Sequence, residues 1–431
     1  MQITKVKGWA IPLCAPLALS SACYFAEPSQ SEVDAEEIIG GFPATSPSLD
    51  LVGALAFAVP DGFDTNENGE LPEEVKARDY LPPDATIRQG DQYLTFCTGT
   101  LIAPDVVLTA EHCVDNLWGD EEFVMGFDGT QPDRAIPIVG VMTEDTITGG
   151  AIGFGSDVAI AYLAEPVEDV AIAEIGTLSD DHIGTDFVNI GYGVQNNNED
   201  SGTRFLGAVT LRGILGNMAD HLFGDFEGFL HHFPELGLPE DVAEDLYAML
   251  ELIPEYEATF GHAPGNAQSC FGDSGGPVMR AEDGGLTVYG VTSWGLGSLD
   301  LVCDWGGAYA VFGPATAEFI ERSKACPMVP AEGMCDGDVA TRCAGPEEGG
   351  YKVVETDCSE IGLICGQDHD RQVTCIEDAC EDVPAEGMCE GDTVVRCTND
   401  DEGVRRVVET DCGVLGLTCG ADDAGDLTCV D

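Results

Sequence analysis

Twelve of the 18 cysteines stand in two copies of one pattern, and that register limits what the C-terminal part of the chain can become. Cys326, Cys335, Cys343, Cys358, Cys365 and Cys375 recur 54 residues later as Cys380, Cys389, Cys397, Cys412, Cys419 and Cys429. The intervening sequence repeats too: Val329–Cys335 returns as Val383–Cys389, and Val353–Cys358 as Val407–Cys412. A module of about 50 residues buries little apolar surface, so cross-links must supply its stability. An even number in register predicts three bridges inside each copy, while the connectivity stays open. Two Cys-rich modules are therefore expected, at 326–378 and 379–431.

The rest of the chain has a different grammar. Short β-like runs at Leu51–Val59, Gln92–Phe96, Val106–Thr109, Ile136–Val141, Val158–Leu163, Phe187–Ile190, Ala208–Leu211 and Leu286–Val291 are punctuated by Gly, Pro and Asp. That spacing predicts an all-β domain built from hairpins. Thr316–Lys324 reads as a short closing helix. Two stretches break the pattern. Asp61–Gln89 is polar and loop-like. The segment at about 217–260 has Leu246, Met249, Leu250 and Ile253 at helical spacing and reads as a helical insertion.

The first 22 residues carry Lys5 and Lys7, an apolar stretch from Trp9 to Leu19, then Ser20-Ser21-Ala22. This is the pattern of a secretion signal, too short to span a membrane. Cys23 follows the small residues. It has two readings: the lipidated first residue of a bacterial lipoprotein, which is favoured, or ordinary signal cleavage at the same place. Ser20 stands where lipoprotein signals usually carry Leu. Residues 23–37 are short, polar and acidic, as in a linker or propeptide. The expected location is extracellular or at the cell surface. Membrane contact is expected only through a lipid on Cys23.

Charge narrows the partners. The 79 acidic and 17 basic residues give a formal net charge of −62. Nucleic acid and anionic lipid surfaces are repelled by such a chain. The same excess fits a solvated secreted surface or adaptation to high salt, where screening relieves self-repulsion.

Three local motifs carry the chemistry: Leu108-Thr109-Ala110-Glu111-His112-Cys113, Ser156-Asp157-Val158-Ala159-Ile160, and Cys270 followed by Gly272-Asp273-Ser274-Gly275-Gly276-Pro277. A serine hydroxyl needs a base in contact, and the base needs an orienting group. Ser274, His112 and Asp157 supply these types, in that order of role. The amides of Gly272 and Ser274 are the expected oxyanion donors. Any one Ser, His or Asp is by default a surface residue, but three such motifs in order are not.

With these motifs the region from Ile38 to about Ser323 resembles the trypsin/chymotrypsin family of serine proteases. The resemblance implies two six-stranded antiparallel β-barrels over a domain at 38–325. It implies bridges Cys97–Cys113 and Cys270–Cys303. It also implies a zymogen cut before Ile38, whose new amine would pair with Asp273. Glu37 departs from the basic residue common before that cut. Ser293-Trp294-Gly295 resembles the strand that pairs with substrate backbone, and Ser293 would also bond Asp157. Gln268 matches the bottom of the primary pocket, with Gly295 and Gly307 on its walls. This argues against Arg or Lys at P1 and for a bulky apolar or uncharged residue.

Asp64-Thr65-Asn66-Glu67-Asn68-Gly69 resembles the start of an EF-hand calcium loop, but Val75 takes the place of the bidentate Glu. A polar turn is the favoured reading, and no cofactor or metal is expected otherwise. His221, His231, His232 and His262 lack a spaced ligand framework. The functional expectation is an exported serine endopeptidase with a protein or peptide substrate, its Cys-rich repeats holding an unknown surface or protein ligand. The alternative is a non-catalytic surface binding or adhesion protein on the same fold.

Overall fold

The computed structural model describes residues 41–58, 93–115, 117, 119–126, 132–144, 155–194, 202–236, 239, 242–261, 266–282, 285–296, 303, 305–368, 371–376, 383–384, 387–399, 405–421 and 427–430. Cys23, Ile38, the Asp64–Gly69 segment and His262 lie outside them. The chain divides after Lys324 into two compact units, one residue before the expected boundary.

In the first unit, β2 (Val52–Ala58), β3 (Tyr93–Ala103), β4 (Val106–Thr109), β5 (Glu121–Met125), β6 (Arg134–Thr143) and β7 (Ala159–Leu163) close into an antiparallel barrel in the order β2-β3-β4-β7-β6-β5. Closure removes free sheet edges. A second ring forms from β9 (Asp186–Gly191), β10 (Phe205–Gly213), β11 (Glu257–Phe260), β14 (Gly306–Val311), β13 (Gly285–Leu296) and β12 (Pro277–Glu282), which pairs back to β9. Two short strands join it: β1 (Phe42–Pro43) beside β10, and β8 (Glu174–Ile175) parallel to β13. The unit is an all-β, chymotrypsin-like pair of six-stranded barrels.

The barrels share a core. Leu55, Val107, Phe123 and Ile160 from the first pack in one cluster with Ile190, Tyr192, Met279 and Val291 from the second. The Tyr192 hydroxyl, fully buried, donates to the Val52 carbonyl at 3.2 Å. Arg204, 6% exposed, ties the segment at 44–52 to β10. Its guanidinium donates to the carbonyls of Ala44, Ser46, Leu49 and Val52 and to the Asp50 carboxylate. Four carbonyls and one carboxylate satisfy this buried charge.

The expected insertion is helical but shorter than 217–260. It comprises α1 (Met218–Phe223), α2 (Phe226–His232), a 3₁₀ turn at Phe233–Leu236, and α3 (Ala243–Met249). Asn217 and Asp225 cap α1 and α2 by accepting from the amides of Ala219 and Gly228. Glu257–Phe260 is not helix but strand β11, because its backbone is claimed in register by β14. The insertion builds its own aromatic core around Phe229 and Phe233 and packs on Leu296, Trp305 and Ala308. The closing helix α4 (Pro314–Ala325) returns to the first barrel, where the Tyr162 hydroxyl donates to the Ser323 carbonyl.

The second unit contains the two repeats. The first copy has a three-stranded sheet of β15 (Met334–Asp336), β16 (Val339–Ala344) and β17 (Lys352–Asp357), and a hairpin of β18 (Ile364–Gln367) and β19 (Val373–Ile376). The second copy repeats both with β20 (Met388–Glu390), β21 (Thr393–Asn399), β22 (Arg405–Asp411), β23 (Thr418–Ala421) and β24 (Leu427–Val430). The register is kept: Cys343 faces Val353, and Cys397 faces Val407. Bridges Cys326–Cys343, Cys335–Cys365 and Cys358–Cys375 close the first copy. Cys389–Cys419 and Cys412–Cys429 follow the same scheme in the second.

Candidate functional site

The site lies on the first unit and is assembled from segments of both barrels. His112 sits on a 3₁₀ turn at Glu111–Cys113 just after β4, and the Cys97–Cys113 bridge pins that turn to β3. Asp157 lies just before β7 and is 1% exposed. The His112 Nδ1–H donates to Asp157 Oδ2 at 2.8 Å, and the His112 amide donates to Oδ1 at 3.0 Å. The Ser293 hydroxyl donates to Oδ2 as well. Burial pushes the Asp157 carboxyl up, but the charge and hydrogen bond of His112, then the bonds from Ser293 and the His112 amide, outweigh it and leave it low. The carboxylate therefore fixes the proton of neutral His112 on Nδ1 and leaves Nε2 as the acceptor. Ser293 reaches Asp157 because the β13–β14 register slips between Thr292 and Trp294, and such a bulge re-aims one side chain.

Ser274 is held against the histidine turn through its backbone. Its carbonyl accepts from the Thr98 amide at 2.8 Å. The next residue has no room for a side chain: a Cβ on Gly275 would lie 2.1 Å from Thr109 Oγ1 and 2.9 Å from the Ala110 amide nitrogen. Thr109 and Ala110 lead directly into His112. Thr98 links the pieces, its hydroxyl donating to the Gly272 carbonyl and accepting from the Tyr192 amide. Sequence reasoning passed over Thr98, which belongs to none of the three motifs.

Gly272 has φ +90°, a conformation that favours glycine, and a Cβ there would meet Gly193 Cα at 2.9 Å. Among the described residues, neither the Gly272 nor the Ser274 amide N–H has an acceptor within the protein. Two such donors on one tight turn can receive a developing oxyanion. Asp273, between them, is fully buried. Its carboxylate accepts from the amides of Gly193 and Cys270, each at 2.8 Å. Burial pushes this carboxyl up to about 7 against those two bonds. Its expected partner, Ile38, lies outside the described residues.

The remaining positions lie on β13 and β14 and on the segments beside this turn. Gly295 and Gly307 face each other across β13 and β14. The Gln268 side-chain amide lies against Gly261, where an added Cβ would meet its oxygen at 2.9 Å. Cys270–Cys303 bridges the adjoining loops. Burial pushes the Tyr309 hydroxyl up to about 12, so it stays protonated and donates to Ser269 Oγ at 3.3 Å. Trp294 is half-buried and Gly295 is exposed, so this end of β13 is open to solvent. The helical insertion reaches these strands: Leu222 of α1 packs on Gly306, and Trp294 joins the insertion's aromatic cluster.

Two described histidines of the insertion have structural partners. His221 Nε2 bonds the Leu215 carbonyl, and the His232 ring packs against Phe223 and, edge-on, against Trp305. Among the described residues, Cys97, His112 and Cys113 are the one group with metal-capable atoms close together, and both sulfurs are in a disulfide.

Residues 81–213 and 253–317 match the family model described as Trypsin, and the gap falls on the helical insertion. A "Trypsin-like protease" of Streptomyces glaucescens is 26% identical over 202 residues, which is 47% of this chain and 65% of that protein. The chain thus spans slightly under two thirds of that relative. Brachyurin of Leptuca pugilator is 28% identical over 218 residues, 50% of this chain and 81% of its own length.

Proposed function

From a chain whose first unit belongs to the trypsin/chymotrypsin-like serine protease family, we propose an exported endopeptidase that cuts peptide bonds through an acyl-enzyme on Ser274. The observation that carries this reading is the buried Asp157 carboxylate holding the His112 Nδ1–H, beside a turn with two uncommitted amides. Ser274 Oγ attacks the scissile carbonyl while its proton passes to His112 Nε2. Asp157 keeps the tautomer and stabilises the imidazolium. The Gly272 and Ser274 amides take the oxyanion. His112 then gives its proton to the leaving amine. A water molecule, deprotonated by the same nitrogen, releases the acid and restores Ser274. This sequence requires no cofactor.

The peptide pairs with Ser293–Gly295, and its P1 side chain enters between Gly295 and Gly307 toward Gln268. A neutral amide at the base favours a bulky uncharged P1 residue. The protein is made as a zymogen cut between Glu37 and Ile38. A buried Asp273 carboxylate with two amides and no cation among the described residues is the acceptor such an amine requires. The leader at 1–22 and the disulfides support export to an oxidising compartment, with Cys23 as the lipid attachment point. The Cys-rich repeats tether the enzyme or bind a surface ligand. Deleting residues 326–431 should leave peptide cleavage intact and abolish surface binding.

The test is a P1 scan of peptide substrates on protein whose N-terminus is Ile38. Cleavage after Leu, Phe or Met, lost in Ser274→Ala, supports the proposal. Folded wild-type protein that cleaves none of the series contradicts it and favours a binding protein on a protease fold.

A further inference from the structure

The two glycines assigned to the P1 walls stand on a two-stranded ribbon whose faces are unlike. Gly295 of β13 pairs with Gly307 of β14, and the flanking pairs are Trp294 with Ala308 and Leu296 with Gly306. Paired residues share a face and successive residues alternate. Gly295 and Gly307 therefore face one way, and Trp294, Leu296, Gly306 and Ala308 face the other. The first face turns toward the segment that carries Gln268: a Cβ on Gly307 would lie 3.5 Å from Ser269 Oγ. The second face belongs to the helical insertion. Leu296 and Ala308 are buried in the insertion's core, and Trp294 packs against it. A Cβ on Gly306 would meet Leu222 Cδ2 of α1 at 2.9 Å, so the helix touches the backbone of β14 directly. Trp305, one residue earlier, is 3% exposed and meets the Phe223 ring edge-on at 5.3 Å between centroids.

The insertion is closed at its base. The Met218 amide donates to the Leu250 carbonyl at 2.8 Å, and the Leu252 amide to the Gly216 carbonyl at 2.9 Å. Asn217 Nδ2 donates to the Tyr247 carbonyl at 2.7 Å and ties the start of α1 to α3. Helices stapled in this way press on the ribbon as one body. The ribbon gains from such support, because Gly295, Gly306 and Gly307 have no side chains to fix them and glycine backbone is the least constrained. The family match stops at Gly213 and resumes at Ile253, so this support is additional to the family pattern.

Resting on the protease reading above, we propose that the helical insertion is the backing of the P1 wall, with Leu222 a positioning residue that acts through Gly306 and sets P1 specificity. Leu222 fixes how far the ribbon yields to a P1 side chain on its other face. A held ribbon admits the side chains that fit and rejects those that would push it back. Truncation of Leu222 leaves space behind Gly306 into which the ribbon retreats.

The experiment uses full-length protein cut at Ile38 and compares wild type with Leu222→Ala and Leu222→Met. P1 preference is read as the ratio of kcat/KM between the best and the poorest of Ala, Leu, Phe and Trp. It should fall about tenfold in Leu222→Ala and return to within about threefold of wild type in Leu222→Met, which restores the bulk. The rate of fluorophosphonate labelling should stay within about twofold, since the triad is untouched. A mere loss of folded protein lowers every rate alike and leaves the ratio fixed. An unchanged ratio in folded Leu222→Ala overturns the proposal. Amide hydrogen exchange in Ser274→Ala protein reads the backing without activity. Gly306–Ala308 should exchange about tenfold faster when Leu222→Ala is added, while β4 in the other barrel is unchanged. Leu222→Val, a smaller cut, should move both readouts the same way if Leu222→Ala does not fold. Equal exchange at Gly306–Ala308 overturns the proposal. The exchange difference in a protein whose wild type takes no fluorophosphonate supports the backing and contradicts the protease reading.

Discussion

The two units solve the stability problem by different means. The first buries whole strands: six of the seven residues of β2 are buried, and one apolar cluster runs through both barrels. Among its described residues the first Cys-rich copy buries only small apolar side chains (Cys326, Val329, Ala340, Ala344, Cys358 and Val373) and leaves Val353 and Ile361 exposed. Its sheet and hairpin are held by three cross-links whose scheme interleaves: first to third, second to fifth, fourth to sixth. Where area suffices, the core selects the fold and disulfides pin local loops. Where it does not, cross-links must disfavour the unfolded chain.

Reduction separates the two most sharply. With dithiothreitol the repeats should lose their folded NMR dispersion completely, while the barrels keep their strand signal by circular dichroism. Equal loss from both units would break the comparison. pH should act most strongly on the barrels, which hold two buried carboxyls with raised values. Glu257 and Asp273 have folded-state values of about 7, above their ordinary 4.5 and 3.8. On these two groups the folded state therefore holds more protons between those limits, and the stability they contribute is highest below the lower limits and falls as pH rises to about 7. The loss is on the order of 3 kcal/mol per group. Denaturant melts across that range would measure it. Protein cut at Ile38 should show a shallower slope if its amine pairs with Asp273.

Arg204→Met strips five acceptors of a buried donor and should cost the first unit about 3 kcal/mol, read as a lower melting temperature for that unit only. Gly272→Ala should lower kcat/KM about 100-fold while the fold persists, since it disturbs one oxyanion donor. The smallest effect is expected at Val414→Asp, which alters a residue 80% exposed. Its stability change should stay within about 0.5 kcal/mol.

How much of this was legible in the sequence depended on how local the cause was. His112, Asp157 and Ser274 stand in short motifs whose chemistry can be read in place. The module period was legible because cysteines repeat in register. All eight expected strand runs fall on barrel strands, but β5, β11, β12 and β14 were not among them. β11 is four residues long, Glu-Ala-Thr-Phe, follows an amphipathic helical pattern, and exists because β14 pairs with it. The insertion was drawn too long for the same reason. Thr98 and Arg204 gave no signal, since each acts by joining segments far apart in sequence. The disulfide scheme of the repeats likewise depends on the fold of each copy.

Labelling with a fluorophosphonate probe, followed by mapping of the modified residue, tests the central claim most directly. On protein beginning at Ile38, the account predicts one adduct, on Ser274, absent from Ser274→Ala and from His112→Ala. Folded wild-type protein that stays unlabelled, or that is labelled at another serine, would contradict it.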